Sequence, residues 1–163
     1  MSYRIGNGYD VHALGEGLPL WLGGIKIEHN KGCIAHSDGD VVIHAVCDAL
    51  LGAAAMRDIG YHFPDNSSEF KGIDSKILLR KAVDLLRKEK YMIVNVDAVI
   101  CLQEPKIKKI IPDMIGVMAE VMDVDQSLVS VKATTTEKLG FVGREEGIAV
   151  YAVAMIKNVI DGQ

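Results

Sequence analysis

The chain has 163 residues, 49% of them apolar and 25% charged, as is typical of one soluble globular domain that here spans residues 1–163. Its formal net charge of −4 argues against binding to nucleic acid or to an anionic membrane through a basic face. Three cysteines without a CxxC motif favour the reducing cytoplasm. The chain enters a strand at about residue 3, so no signal peptide is expected, and no apolar run reaches the roughly 20 residues of a membrane span.

The first elements are predicted to be β structure. Alternating apolar residues indicate a strand over residues 3–13. Residues 18–27 read as a hairpin that turns at the glycine pair 23–24. A polar loop over residues 28–39 follows this hairpin.

A buried helix comes next. Residues 41–56 are apolar nearly all round, which is typical of a helix enclosed by the rest of the fold. Asp38 or Asp40 is suited to cap its first turn. A loop rich in glycine and aromatic residues then continues over residues 58–72.

The middle of the chain alternates helix and strand. Residues 74–90 form an amphipathic pattern, with Asp74 as the cap and basic residues crowded into the last turns, where the helix dipole favours them. A β-branched strand over residues 91–102 follows. Pro112 is expected to begin or kink a third helix that ends near residue 122.

Two strands, over residues 127–136 and 147–156, complete the pattern. Of the segment between them, residues 140–144 could supply a flexible backbone for phosphate, although a simple glycine hairpin explains most of their pattern. The order of elements predicts an α/β (α+β) sandwich, in which helices pack on one face of a mixed β-sheet.

A candidate metal site is formed by Asp10, His12 and His44. Residues two apart in a strand share a face, so the side chains of Asp10 and His12 point the same way. His44 on the apolar helix would complete one carboxylate and two imidazoles around a divalent cation. Three protein ligands leave one position open, as in a catalytic zinc site. The alternative is a surface aspartate with two hydrogen-bonded core histidines.

The flanks of His44 support the metal interpretation. A histidine that binds a metal usually donates its other N–H to a carboxylate or carbonyl. Asp48, one helical turn after His44, is a plausible partner for that N–H. The alternative is a solvated stripe with an ordinary aspartate–histidine pair.

The loop that contains His36 and Ser37 is a candidate phosphate site. Backbone N–H groups at a helix N-terminus bind anions, and these two side chains add donors. Simple helix capping explains the same Ser and Asp residues, and both interpretations can hold together.

A second polar cluster lies at the end of the predicted strand, from about residue 134. Thr134, Thr135 and Thr136 with Glu137 could hold a phosphate and Mg²⁺, or could be an ordinary strand end. Arg144 adds a guanidinium able to bind phosphate with two hydrogen bonds. The basic turn over residues 105–109 is either a helix entry or the rim of a nucleotide pocket.

These segments together resemble the 2-C-methyl-D-erythritol 2,4-cyclodiphosphate synthase family, in the same order and over about residues 4–156. The resemblance is carried by Asp10-Val11-His12, by the run from His36 to Asp40 with His44 and Asp48, by Asp58-Ile59-Gly60 with Phe63-Pro64-Asp65, and by the run from Lys132 to Phe141.

The resemblance implies an enzyme of the mevalonate-independent isoprenoid pathway. Its substrate would be 4-diphosphocytidyl-2-C-methyl-D-erythritol 2-phosphate, and its products the cyclic diphosphate and CMP. It also implies a chorismate-mutase-like homotrimer whose sites are shared between adjacent subunits. Zn²⁺ would be bound by Asp10, His12 and His44. A second cation, Mg²⁺ or Mn²⁺, would be held by Glu137 and the substrate phosphates.

The resemblance further assigns residues to the two ends of the substrate. The methylerythritol phosphate side is matched by His36, Ser37, Asp58, Gly60, Phe63 and Asp65. The cytidine side is matched by Leu102, Pro105, Lys106, Ile107, Ala133, Thr134 and Thr135. Further candidate substrate contacts are Asp10, His12, Ile59, Pro64, Lys108, Thr136, Glu137, Phe141 and Arg144.

The implied reaction is an intramolecular phosphoryl transfer in which the 2-phosphate attacks the β-phosphorus and CMP leaves. His36 and Thr135 are the candidate catalytic donors to the transition state. Two other functions stay open at this point. One is a metal-dependent phosphohydrolase with the same ligands, and the other is a non-enzymatic, metal-stabilised binding module.

Overall fold

A computed structural model of the chain describes residues 2–64, 70 and 72–159. The elements in chain order are β1 (Tyr3–Glu16), β2 (Leu20–Leu22), β3 (Ile25–Ile27), β4 (Lys31–Cys33), α1 (Val41–Ala53), α2 (Ile59–His62), α3 (Ser75–Lys88), β5 (Tyr91–Cys101), α4 (Ile111–Met122), a 3-10 helix (Gln126–Leu128), β6 (Val129–Thr134), α5 (Gly140–Gly143) and β7 (Gly147–Asn158).

The main sheet has five strands in the order β4-β1-β7-β5-β6. β5 and β6 are parallel and the other neighbours are antiparallel, so the sheet is mixed. α1 packs on β1 and β7, while α3 and α4 extend the helical layer toward β5 and β6. The predicted mixed sheet with helices on one face is confirmed. None of the described helices is long and apolar enough to cross a bilayer.

Two glycines in β1 allow α1 to lie unusually close to the sheet. A Cβ atom on Gly6 would sit 2.0 Å from the carbonyl oxygen of Ala49, and one on Gly8 would sit 1.9 Å from that of Ala45. Neither distance is possible for real atoms. The backbone of α1 therefore rests directly on β1, and the same strand face carries Asp10 and His12.

Asp40 fixes the start of α1. Its carboxylate accepts hydrogen bonds from the N–H groups of Gly23 (2.9 Å), Gly24 (2.6 Å) and Ile43 (3.1 Å). The side chain is fully buried, and burial raises its pKa although the three N–H donors act in the opposite direction. Of the two predicted N-cap candidates, Asp38 and Asp40, the structure selects Asp40, which also joins the β2–β3 hairpin to the helix.

The other long elements agree with the sequence. Asp74 caps α3 by accepting the N–H of Lys76. Pro112 lies in the first turn of α4, where its missing N–H is not needed. β1 extends three residues beyond its predicted end because it pairs there with β4.

Four short elements were not predicted. They are β4, α2, the 3-10 helix and α5. Each has three or four residues, which is less than the span over which a helical or strand period can be recognised. The glycine-hairpin interpretation of residues 140–144 is wrong, since residues 140–143 form α5 and the strands on either side, β6 and β7, are separated in the sheet by β5. α1 also ends at Ala53 rather than at residue 56, because the backbone enters the left-handed region at Ala55 (φ 60°).

The sheet face opposite the helices is apolar and uncovered in the single chain. We call it the free sheet face. Its exposed members are Tyr3, Ile5, Tyr9, Val11, Met92, Tyr151 and Val153. Tyr9 and Tyr151 stack at a centroid distance of 4.8 Å in its centre.

We expect Gly8→Ala to destabilise the fold. The added methyl group would meet the backbone oxygen of Ala45, so α1 has to move away from β1. Overpacking of this kind costs about 1–3 kcal/mol. Chemical denaturation monitored by circular dichroism measures the change in the free energy of unfolding.

Gly52→Ala is the matched control, because Gly52 lies in α1 itself and its added Cβ would have only an ordinary contact at 3.8 Å. Alanine favours a helix by up to about 1 kcal/mol over glycine, so this variant should be at least as stable as the parent. Equal unfolding midpoints for Gly8→Ala and the parent would contradict the close-contact explanation.

Candidate active site

β1 and α1 bring the predicted metal ligands together. The Oδ2 atom of Asp10 lies 3.1 Å from Nδ1 of His44 and 3.2 Å from Nδ1 of His12. Asp10 and His12 occupy the strand face that carries Gly6 and Gly8, and His44 lies one residue before Ala45, where the helix backbone touches Gly8. The close packing of α1 on β1 therefore sets the geometry of the triad.

The triad has the donor set and spacing for a divalent cation. One ligand atom from each of the three residues lies within 4.8 Å of the others. Tetrahedral ligands at about 2.0–2.1 Å from a zinc ion are separated by roughly 3.3 Å, close to the distances found here. In addition, Nδ1 of His12 is buried, and its contact with Asp10 misses hydrogen-bond geometry, so it has no hydrogen-bond partner among the described residues. A cation at this point would satisfy that nitrogen.

The electrostatics of the triad favour a charged carboxylate. Burial by itself raises the pKa of Asp10, but its contacts with His12 and His44 outweigh burial and lower the pKa to about 2. Burial likewise lowers the pKa of His44, and the hydrogen bond and charge of Asp10 reverse the direction to a net increase. Asp10 therefore remains an anionic ligand throughout the physiological pH range.

The far side of His44 faces hydroxyl groups. Its Nε2 atom lies 3.0 Å from Oγ of Ser75 and 3.2 Å from Oγ of Ser37. The expectation that Asp48 accepts a hydrogen bond from His44 is wrong. The carboxylate of Asp48 instead accepts the N–H of Ile59 at 2.7 Å, because the chain after α1 folds back across it.

A cavity of about 340 Å³ opens beside the triad. Of the residues predicted to bind substrate, those that line it are His12, His36, Ser37, Ile59, Gly60 and Phe63. The sequence did not single out Phe70, Ile73 and Leu78, which form an apolar wall of the same cavity. Their pattern is that of ordinary core residues, and nothing in the sequence distinguishes them.

The remaining predicted residues on this side do not line the cavity. Asp58 caps α2 by accepting the N–H of Tyr61 at 2.8 Å, so its carboxylate holds the segment that presents Ile59 and Gly60. Pro64 follows that segment and is half-buried. Asp65 lies outside the described residues.

The predicted cytidine residues form a second cluster. Leu102 donates its N–H to the carbonyl of Thr134 at 2.9 Å, and Lys138 donates its N–H to Gln103 at 3.4 Å. These bonds join the loop after β5 to the loop after β6. Leu102 and Ile107 are buried supports, whereas Lys106 is exposed. The other predicted residues in these two loops are Pro105, Lys108, Thr135 and Thr136, while Ala133 lies near the end of β6 and pairs with Ile100.

Glu137 lies in the second cluster and not in the triad. Its exposed carboxylate accepts a hydrogen bond from the hydroxyl of Thr135 at 2.9 Å. Glu137 and Lys138 both adopt left-handed backbone conformations, with φ of 52° and 65°. Non-glycine residues in this region carry strain that is often found at functional sites.

Phe141 and Arg144 lie on α5 and at its end. Phe141 is 38% exposed. The guanidinium of Arg144 makes two hydrogen bonds of 2.9 Å with the carboxylate of Glu146. The guanidinium N–H groups of Arg144 are therefore bound to a protein carboxylate in this structure, and a phosphate would have to compete with Glu146 for them.

The triad and the second cluster lie at the same end of the sheet but on different strands. His12 pairs with Ile148 of β7, Ala149 pairs with Cys101 of β5, and Cys101 pairs with Thr134. Three strand spacings of about 4.8 Å place the two clusters roughly 14 Å apart within one chain.

Comparison with known proteins agrees with the resemblance seen in the sequence. The model of the YgbB family matches residues 3–157. The 2-C-methyl-D-erythritol 2,4-cyclodiphosphate synthase of Bacteroides fragilis is 61% identical over 159 residues, which cover 98% of this chain and 100% of that protein. The synthase of Porphyromonas gingivalis is 61% identical over 154 residues, or 94% of this chain and 95% of that protein.

Solved structures give the same result. The bifunctional IspDF of Campylobacter jejuni superposes with a TM-score of 0.94 at 44% identity over 97% of this chain and 43% of that longer chain. IspF of Plasmodium falciparum, solved as a CDP complex, has a TM-score of 0.85 at 39% identity over 98% of each chain. The chain belongs to the YgbB family, together with the 2-C-methyl-D-erythritol 2,4-cyclodiphosphate synthases.

Proposed function

We propose that this chain converts 4-diphosphocytidyl-2-C-methyl-D-erythritol 2-phosphate to 2-C-methyl-D-erythritol 2,4-cyclodiphosphate and CMP, in the mevalonate-independent isoprenoid pathway. The reaction makes it a phosphorus–oxygen lyase. The observation that carries the proposal is the three-ligand site of Asp10, His12 and His44. This site opens onto a cavity of about 340 Å³, whose lining includes apolar groups and side chains able to donate hydrogen bonds to a phosphate. The names of the relatives support the product.

We assign the metals by their donor sets. Two imidazoles and one carboxylate suit Zn²⁺, and the exposed carboxylate of Glu137 suits Mg²⁺ or Mn²⁺ shared with substrate phosphates. When bound, such cations supply Lewis acidity and neutralise phosphate charge. The chain's own residues determine the remaining chemistry.

Those residues act by positioning the two reacting phosphates. A P–O bond forms between the 2-phosphate oxygen and the β-phosphorus, and the bond from that phosphorus to the CMP oxygen breaks. Both groups are anionic, and the substrate has to fold into a ring. A pocket that holds them in contact supplies an effective molarity that free solution lacks. No side-chain nucleophile is needed, since the substrate provides its own.

Specific donors surround the reacting groups. The imidazole of His36 and the hydroxyl of Ser37 line the cavity beside the triad and can donate to the 2-phosphate. Thr135 and Glu137 lie together in the second cluster, where the diphosphate would pass. His36 and Thr135 are the proposed catalytic donors, because hydrogen bonds that strengthen as charge moves onto the phosphate oxygens lower the barrier.

The second cluster is the proposed cytidine pocket. Buried Leu102 and Ile107 support it, and backbone groups near Pro105 and Lys106 can read a base edge. The CDP complex of the Plasmodium falciparum relative supports a cytidine nucleotide as ligand. Ala133, Thr134 and Thr136 border the ribose side, with Lys108, Phe141 and Arg144 as further contacts.

A homotrimer with shared sites would resolve the separation of the two clusters. Within one chain they lie roughly 14 Å apart across the sheet, whereas packing three free sheet faces around an axis can place the triad of one subunit beside the cytidine pocket of the next. Contiguous exposed apolar surface of this kind marks an interaction site. The three cysteines are free thiols, which supports a reducing compartment, and the cytoplasm is the proposed location.

Incubation with the diphosphocytidyl substrate in H₂¹⁸O tests the reaction. We expect the parent protein to release CMP and form the cyclic product without ¹⁸O in its phosphates. His44→Ala should lose bound zinc and reduce turnover by about 10²-fold or more, since it removes a ligand. His29→Ala changes a histidine outside the site and should behave as the parent.

Open-chain product that carries ¹⁸O would reject the cyclisation and support a metal-dependent phosphohydrolase instead. Unchanged zinc content and turnover in His44→Ala would reject the triad as the metal site. Mass spectrometry of the products and metal analysis of the purified protein measure both results.

Val153→Glu tests the shared assembly. Val153 lies on the free sheet face and is 43% exposed in the single chain, so a charge there would be buried and unpaired in a trimer. We expect sedimentation to give one third of the parent mass, with turnover lost. Ile77→Glu is the control, since Ile77 is 47% exposed on α3. A trimeric, fully active Val153→Glu would contradict the assignment of this face.

A further inference from the structure

We propose that Ser75 and Asp38 are a positioning pair that keeps a hydrogen on Nε2 of His44 and so leaves the lone pair of Nδ1 available to the metal position. The inference deepens the proposed function and rests on it in one respect only, namely that a divalent cation binds at Asp10, His12 and His44. Neither Ser75 nor Asp38 belongs to the triad or lines the cavity beside it, so the two residues act through His44.

Ser75 stands between a carboxylate and the imidazole. It is the first residue of α3 and is completely buried. Its Oγ atom lies 3.0 Å from Nε2 of His44. The same hydroxyl donates a short hydrogen bond to one oxygen of Asp38, and the N–H of Ser75 donates to the other oxygen at 2.9 Å.

The direction of these hydrogen bonds follows from the chemistry of each group. An ionised carboxylate only accepts, so the hydroxyl proton of Ser75 is committed to Asp38. Oγ of Ser75 can then only accept from His44, which requires a hydrogen on Nε2. Without a cation, Nδ1 can also carry a hydrogen and donate it to Asp10. A bound cation would take the place of that hydrogen, and the neutral ring would then keep its one N–H on Nε2 and turn the Nδ1 lone pair to the cation. Nδ1 is the atom that lies 3.1 Å from Asp10, on the side where a cation would bind.

Ser37 alone could not select this tautomer. Its hydroxyl lies 3.2 Å from Nε2 of His44 and accepts the N–H of Gly39 at 3.1 Å. Its proton is free to donate or to turn away, so it is compatible with either tautomer. The commitment of the Ser75 proton to Asp38 removes that ambiguity, and Ser37 then serves as a second acceptor or as a ligand-facing donor.

The pair also joins two distant segments around the site. Asp38 donates its N–H to the carbonyl of Ile73 at 3.1 Å, and Gly72 donates to the carbonyl of His36 at 2.8 Å. The loop that carries His36 and Ser37 is therefore joined to the segment before α3 by two backbone hydrogen bonds in addition to the Ser75–Asp38 contact. A histidine held from behind in this way loses little ring freedom when it binds a metal.

Zinc affinity of the metal-free protein tests the pair. We expect Ser75→Ala to weaken Zn²⁺ binding about 10–100-fold, the range found when a partner of a metal-binding histidine is removed. Competition with a chromophoric chelator measures it. Ser75→Thr keeps the hydroxyl and should restore most of the affinity.

Asp74→Ala is the matched control for a merely structural effect. It removes the side-chain cap at the start of the same helix but leaves the Ser75–His44 contact in place. Its zinc affinity should stay within about twofold of the parent. If Ser75→Ala binds zinc as tightly as Asp74→Ala, or Ser75→Thr fails to restore affinity while folded, the positioning role is wrong.

¹⁵N NMR of the histidine side chains gives a readout that needs no mutation. In the zinc-loaded protein, Nε2 of His44 should carry a directly bonded, slowly exchanging hydrogen, and Nδ1 should carry none. The metal-free protein should already show the slowly exchanging Nε2 hydrogen. A zinc-loaded protein with the hydrogen on Nδ1 would overturn the proposal.

A double-mutant cycle tests whether the two residues act as a unit. Asp38→Ala releases the Ser75 proton, so it should weaken zinc binding too, and Asp38→Ala with Ser75→Ala should be no weaker than Ser75→Ala alone. Additive losses would contradict the pair. If the parent protein bound no divalent cation at the triad, the proposed function would fail. Tight binding by the parent with an unaffected Ser75→Ala would reject this inference alone.

Discussion

The contact of α1 with β1 is the constraint on which the candidate site depends. Gly6 and Gly8 let the helix backbone touch the strand, and this brings His44 within 3.1 Å of Asp10. With side chains at either glycine the helix would stand farther from the sheet, and the imidazole would no longer reach the carboxylate. The two glycines therefore set the position of the His44 imidazole. This matters because metal ligands tolerate only small displacements.

Buried polar groups hold this arrangement in register. Asp40 fastens the start of α1 to the β2–β3 hairpin through backbone N–H groups, and Asp38 fastens the preceding loop to α3 through Ser75. The buried carboxylate of Asp40 and the half-buried carboxylate of Asp38 each accept several N–H or O–H donors, which offsets their removal from water. Asp38 and Asp40, two residues apart in one short loop, thus bind two different elements, α3 and the β2–β3 hairpin. The helix that carries His44 therefore has little freedom to shift or turn.

The sequence predicted the long elements and the metal triad because both have periodic or chemically specific signals. Asp10 and His12 alternate along a strand, and an almost wholly apolar helix can have few orientations. The four short elements carried no such period. Asp48 was assigned to His44 from helical spacing alone, and the structure gives that position to Ser75, 31 residues away. A serine at a helix start resembles an ordinary cap, so only the tertiary fold reveals its second contact. Glu137 contacts Thr135 of the predicted cytidine residues, a contact that the sequence did not predict.

The free sheet face has a thermodynamic consequence of its own. Aromatic and aliphatic side chains such as Tyr151 and Ile5, the latter 67% exposed, keep much of their apolar surface in water until another surface covers it, and only then does that part contribute to stability. Under the proposed assembly, each subunit therefore obtains part of its resistance to heat and denaturant from its neighbours. By mass action, that resistance would fall on dilution, so melting temperature should depend on protein concentration even with an intact active site.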